Sequence, residues 1–488
     1  MALPAVYVLE DLEPDNLPHV GSGMARALLD RYRCPEEFLD FELADPLSAD
    51  PGYFRFGHEA ICYGRTSTGY RAPDADALLY STLRDLQTSG STLRLPFNPT
   101  EVIDNLRLER YARRAKPSEW NWRQRFLRDV YYVLRPYLGA GIRGYLKRVY
   151  AGGWRSVVFP RWPVDTTVER LCEALLLASM KAKGVDRVPF IWFWPRGATS
   201  SVVMTHDVED RPGYGFCRSL MEIDEACGIK ASFQLVPENR YKIEDDLLRE
   251  IRERGFEVNI QDLNHDGYLF ADRQDFLCRA AKINRYAKLY GAKGFRAAVL
   301  YRNPDWYGSL DFSYDMSVPN TGHLDPQHGG CCTVMPYFIQ NVLEIPLTTT
   351  QDYMLFHLLR DYSPELWKSQ TDIILRKRGL INFLVHPDYV VEERARKVYR
   401  ELLSWLRALA TREHLWFALP GEVDEWWRAR SKMTLMNRGG MWRIEGAGAD
   451  QAVIAFAKDA GDGIEYEIGS QLQLLDGHDD ASAPGGVK

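Results

Sequence analysis

The sequence predicts an α/β protein whose larger part is a distorted (β/α) barrel of seven to eight strands, preceded by an N-terminal α+β region and followed by a small C-terminal β appendage. Two observations predict this. Between residues 189 and 430, short β-type runs alternate with amphipathic helical stretches, and eight such runs in about 240 residues suit a closed sheet better than an open one. Ionisable side chains gather just past several of these runs, at the strand ends where barrels of this class carry their sites.

Taken in order, residues 1–115 read as a β-rich region with short strand-like pieces at 53–57 and 60–64. Residues 116–195 read as a helical connector: apolar residues recur at three-to-four spacing over 120–138 and 168–183, interrupted by Gly139, Gly141 and the Trp162-Pro163 turn. The barrel is expected over 196–430, with strands at 202–205, 231–236, 256–261, 294–299, 312–317, 343–347, 381–385 and 415–419. Helices are expected at 244–254, 273–290 and 391–409. Short strands at 442–444, 452–457 and 464–468 make up the appendage over 431–475, and the small, polar residues of 476–488 read as a disordered tail.

Composition limits the function. A chain of 488 residues, 45% hydrophobic and 26% charged, can bury a large core, which excludes disorder as the dominant state. Its 61 basic and 67 acidic side chains leave no positive excess to neutralise a phosphate backbone, so nucleic acid is not expected as the main partner. Eight scattered cysteines with no Cys-x-x-Cys pair are expected to be reduced thiols. The opening residues carry acids where a secretory signal needs an apolar run, and no stretch is apolar for long enough to span a membrane. The expectation is a cytoplasmic protein.

The chemistry gathers at five strand ends. The first reads Thr205-His206-Asp207-Val208-Glu209-Asp210 and the third Gln261-Asp262-Leu263-Asn264-His265-Asp266. The fourth contains Arg296, the fifth ends Asp315-Met316-Ser317, and the seventh ends His386-Pro387-Asp388. Any one acid here would serve as a helix cap, and either histidine could close a turn. Their coincidence at one rim is what favours a site, in which a carboxylate takes a proton, an imidazole returns one, and an arginine orients the base.

These motifs, in this order, resemble those of the polysaccharide deacetylases, metal-dependent carbohydrate esterases on a distorted β/α barrel, and the resemblance runs from about Ser201 to Trp427. Thr205-His206-Asp207-Val208-Glu209 resembles the family's opening Asp-Asp segment, Gly228-Ile229-Lys230-Ala231-Ser232-Phe233 its second strand, and Gly294-Phe295-Arg296 the segment that supplies the orienting arginine. Asp315-Met316-Ser317 and Leu384-Val385-His386 are similar to its Asp-x-Ser and Leu-x-His motifs. The resemblance implies Asp207 as general base oriented by Arg296, His386 as general acid supported by Asp315, and a divalent metal, zinc first, held by Glu209, His265 and Gln261. Gln261 departs from the family, whose motif is His-x-x-x-His, and a neutral amide oxygen is a poorer donor to zinc than an imidazole.

The implied activity is removal of N-acetyl groups from an amino sugar in a glycan or glycoconjugate, within exopolysaccharide biosynthesis. Tyr301, Trp306 and Tyr307 are candidates either for stacking on a sugar or for packing their own loop. The alternative is a barrel that has lost its metal and binds or scaffolds a glycan. A glycosidase using Asp207 and Glu209 is disfavoured, because carboxylates two residues apart cannot straddle a glycosidic bond.

Overall fold

The computed structural model describes residues 23–57, 59–67, 69–112 and 151–469; the helix expected at 120–138 and the tail at 476–488 lie outside them. The barrel strands are β1 (Ser200–Val208), β2 (Ser232–Leu235), β3 (Glu257–Gln261), β4 (Gly294–Arg296), β5 (Tyr314–Asp315), β6 (Tyr337–Ile339), β7 (Val342–Glu344), β8 (Leu380–Leu384) and β9 (Leu415–Ala418). The helices are α1 (Arg211–Ala226), α2 (Asp245–Glu253), α3 (Arg273–Tyr290), α4 (Glu365–Arg376), α5 (Glu393–Leu409) and α6 (Pro420–Lys432). All eight predicted strands are present, and the strand order is β6-β7-β5-β4-β3-β2-β1-β8, parallel except for the β6–β7 hairpin.

β1 organises the closure. One edge of it pairs with β8 over Ser201–Thr205, while the other is shared end to end by β9, against Ser200–Val203, and β2, against Thr205–Val208. The far seam, between β8 and the segment after β7, is closed largely by side chains. Asn382 Nδ2 donates to the carbonyls of Ile345 and Pro346 (3.3 and 3.1 Å), its backbone N donates to Thr348 Oγ1 (2.9 Å), and Thr349 Oγ1 donates to its carbonyl (2.8 Å). This seam is the distortion in the barrel.

Several strands are shorter than the sequence suggests. β4 ends at Arg296 because Val299 and Leu300 take left-handed φ values of 58° and 54°, which no ladder accommodates. β6 was not expected; it folds back on β7 through a turn in which Gln340 has φ 54°. On β4, Gly294 is required by close approach, since a Cβ there would lie 2.1 Å from the Tyr314 ring.

Val202, Met204 and Val208 of β1, with Phe233, Leu235 and Val258, face outward and pack against Leu220, Ile251, Leu402 and Tyr399 of the helix layer. The alternate residues point into the barrel. Around it, the hairpin Gly52–Phe56/Ala60–Gly64 and the helices Pro99–Arg107 and Thr167–Lys183 share one core with Phe190, Trp192 and Ala455. Strand Arg187–Ile191 pairs with Ile454–Asp459, which pairs in turn with Ile464–Ile468. No helix among the described residues is long and apolar enough to cross a membrane.

Candidate active site

Strand parity decides which predicted residues meet. On β1, Asp207 points inward, whereas His206 points outward, where Nε2 lies 3.0 Å from Asp224 Oδ2 and Nδ1 2.9 Å from the Val385 carbonyl. His206 is therefore a satisfied histidine of the helix layer.

Asp207 is 1% exposed. Gln261 Nε2 donates to its Oδ2 at 3.2 Å, and Arg296 Nη1 stands 3.8 Å from the same oxygen while Nη2 donates to Thr205 Oγ1 at 3.1 Å. Burial raises the Asp207 pKa, and Arg296 and then His386 oppose the rise. Asp207 Oδ1 and Gln261 Oε1 are buried without a hydrogen-bond partner. An aspartate accepts and does not donate when ionised, so it is the amide nitrogen of Gln261 that faces it and the amide oxygen that stays free.

Glu209 joins the two site histidines. Its Oε1 lies 2.9 Å from His265 Nε2 and 3.5 Å from His386 Nε2. Burial alone would raise its pKa, but the two imidazoles outweigh burial and hold it well below the ordinary carboxylate value. The turn behind it is fixed by Asp388, which accepts from the Glu209 and Gly213 backbone N–H groups at 3.0 and 2.9 Å.

His386 is 3% exposed and is held by Asp352: Nδ1 and the backbone N approach the two carboxylate oxygens at 2.6 and 2.7 Å. Burial would lower the His386 pKa, yet Asp352 and Glu209 keep it well above the ordinary imidazole value. Asp352 was not legible in the sequence. Asp315, expected in this role, stands elsewhere: it pairs in register with Phe295 and Glu344, on the strand face opposite that of Arg296 and Gln261. It accepts from Ser317 N and Oγ at 2.9 and 2.8 Å and stands beside Glu344 of β7. Burial, together with Asp315, keeps Glu344 well above the usual carboxylate range.

The aromatic candidates also move. Tyr307 is 1% exposed and the half-buried Trp306 packs at a tilt against Phe270 and Phe276, so both join the core under α3. A different set of rings stands beside His386. Tyr389 is 5.0 Å from the His386 ring, and Tyr353, just before the π-helical turn Met354–Leu359, and His357, within it, lie 5.6 and 4.9 Å from Tyr389.

The residues expected to hold a metal do not fit one as they are arranged. Gln261 turns its donor nitrogen to Asp207, and His265 presents its Nδ1 to the Arg240 guanidinium at 3.3 Å. Among the described residues no group of three or more His, Cys, Asp or Glu side chains is arranged to hold a metal ion.

No family model matches the chain, and no curated protein does. Solved structures do. A Mycobacterium smegmatis protein assigned as a polysaccharide deacetylase is 17% identical, covering 51% of this chain and 98% of that one at a TM-score of 0.40. PuuE allantoinase is 13% identical over 48% of this chain and 92% of its own, at 0.39. The peptidoglycan deacetylase PdaC of Bacillus subtilis is 11% identical over 48% and 93%, at 0.31.

Proposed function

We propose that the barrel is a hydrolase that removes the N-acetyl group of an amino sugar in a glycan or glycoconjugate. The observation that carries this reading is the opposition of two groups prepared for different proton tasks. Asp207 is a buried carboxylate with one free oxygen, and the Asp352–His386 pair, linked through Glu209, keeps its proton.

The reaction needs one proton taken and one given. A water that donates to Asp207 Oδ1 and Gln261 Oε1 is aligned by two buried acceptors, and Gln261 thus gains a positioning use in place of metal ligation. As the water oxygen bonds to the amide carbon, its proton passes to Asp207. The C–N bond then breaks as His386 Nε2 gives its proton to the departing nitrogen, leaving acetate and a free amine. Arg296 restrains Asp207 from within the barrel, and no step passes through a metal. The Tyr389, Tyr353 and His357 rings beside His386 offer flat faces to a sugar ring.

A second reading keeps the site for binding alone. Gln261 in a motif position that implies a ligand favours it. The two are separated by incubating the chain with N-acetylglucosamine oligomers and weighing the products. Loss of acetyl groups supports the hydrolase; saturable binding with every oligomer mass unchanged supports the binder and overturns the hydrolase.

A further inference from the structure

Arg240, in the loop between β2 and α2, belongs to no motif, yet its guanidinium holds the turn that carries His265. Nη2 donates to the His265 carbonyl at 2.7 Å and stands 3.3 Å from His265 Nδ1; Nε donates to the Asn264 carbonyl at 3.3 Å; Nη1 pairs with Asp210 Oδ1 at 2.8 Å. The turn needs such a hold, because Asp262 and His265 both take left-handed φ values, 50° and 57°.

The chemistry of this contact fixes the imidazole. A guanidinium has only donors, so Nδ1 must be the acceptor and the ring proton must sit on Nε2. Nε2 is the nitrogen that faces Glu209 Oε1 at 2.9 Å. A metal-bound imidazole has the opposite pattern: one nitrogen gives its lone pair to the ion, and the other donates its N–H to a carboxylate or carbonyl. His386 shows the contrast within the same site, with Nδ1 against a carboxylate.

We infer that Arg240 holds His265 with its ring proton on Nε2, the nitrogen beside Glu209, and so closes this end of the barrel to a divalent cation. The inference concerns cation binding and does not depend on the deacetylase reading. Arg240 acts here as a positioning residue, through His265.

Two readouts test it on the full chain. In the first, the protein is labelled with 15N-histidine and the His265 signals, identified by their loss in His265→Gln, are examined for the ring nitrogen that bears the proton. An Nε2–H form is expected; a neutral ring protonated at Nδ1 overturns the inference. In the second, cobalt(II) is titrated at micromolar concentration and followed by its visible absorption bands. The wild type is expected to show none. Gln261→His with Arg240→Leu is expected to bind cobalt at least about tenfold more tightly than Gln261→His alone, the effect of removing a wrong partner from a ligand's second nitrogen. Saturable cobalt bands in the wild type that vanish in His265→Gln overturn the inference. Equal affinity of the single and double variants removes Arg240 from the explanation. If the double variant does not fold, the wild-type spectra decide alone.

Discussion

Asp352 is the residue on which the proposed acid, His386, depends. Because Asp352 and Glu209 hold the His386 pKa above its ordinary value, the imidazole stays protonated as pH rises and loses its proton only on the alkaline side. Asp352→Asn removes the larger of the two favourable charges. The alkaline limb of a pH–rate profile should then move to lower pH, with turnover about 10- to 100-fold lower. An unmoved limb would separate Asp352 from the acid. The sequence shows Asp207, Arg296 and His386 because each ends a strand, where parity and position are readable. It hides Asp352, in a short helical turn, and Arg240, in a loop, because in neither place does a charged residue read as anything but solvated surface.

At the scale of elements, parity sorts residues that the sequence gathers at one rim. Along β1 the two-residue repeat sends Asp207 inward and His206 outward, a division that hydrophobic pattern does not display because all nine residues are buried. In β5, two residues give no pattern, and Asp315 proves to lie on the face with Phe295. The seam beside β8 is likewise invisible to periodicity, since one asparagine side chain replaces part of a ladder. Asn382→Ala leaves the Ile345 and Pro346 carbonyls without their donor and should cost about 1–3 kcal/mol in a denaturant titration.

Within β3, Glu257 is a second test at this scale. Burial pushes its pKa up to about 7, against the hydrogen bonds from Asn259 and the Gly421 backbone. A carboxyl group raised on folding stabilises the fold most while it is protonated in both states. That contribution is fully present below the ordinary glutamate value and is lost as pH climbs through about 7. Denaturation midpoints measured across this window should fall with rising pH, and Glu257→Gln should flatten that part of the slope.

For the whole molecule, composition and rhythm suggest an order of regions but carry no signal of how those regions join. The barrel is tied to the N-terminal region by a buried ion pair far apart in sequence: Arg302, after β4, donates through Nε to Glu109 Oε2 at 2.6 Å, and Glu109 also accepts from the Gly330 backbone N–H at 2.6 Å. Nearby, Tyr111 donates to the Gly330 carbonyl at 2.6 Å. Glu109→Ala strands a buried guanidinium and should destabilise the chain by about 3–5 kcal/mol. With a core shared between these regions, the loss should appear as a shift of one cooperative unfolding transition rather than as release of the first region alone.

In the proposed reaction Asp207 and His386 divide the proton work at the barrel mouth, and the decisive measurement is acetate release from N-acetylglucosamine oligomers. Wild type, Asp207→Asn and His386→Gln are compared at equal concentrations after their folding has been matched by circular dichroism. Turnover is expected in the wild type, with a fall of about 10²- to 10⁴-fold in each variant. Turnover retained in either variant, or no acetate from the wild type, would contradict it.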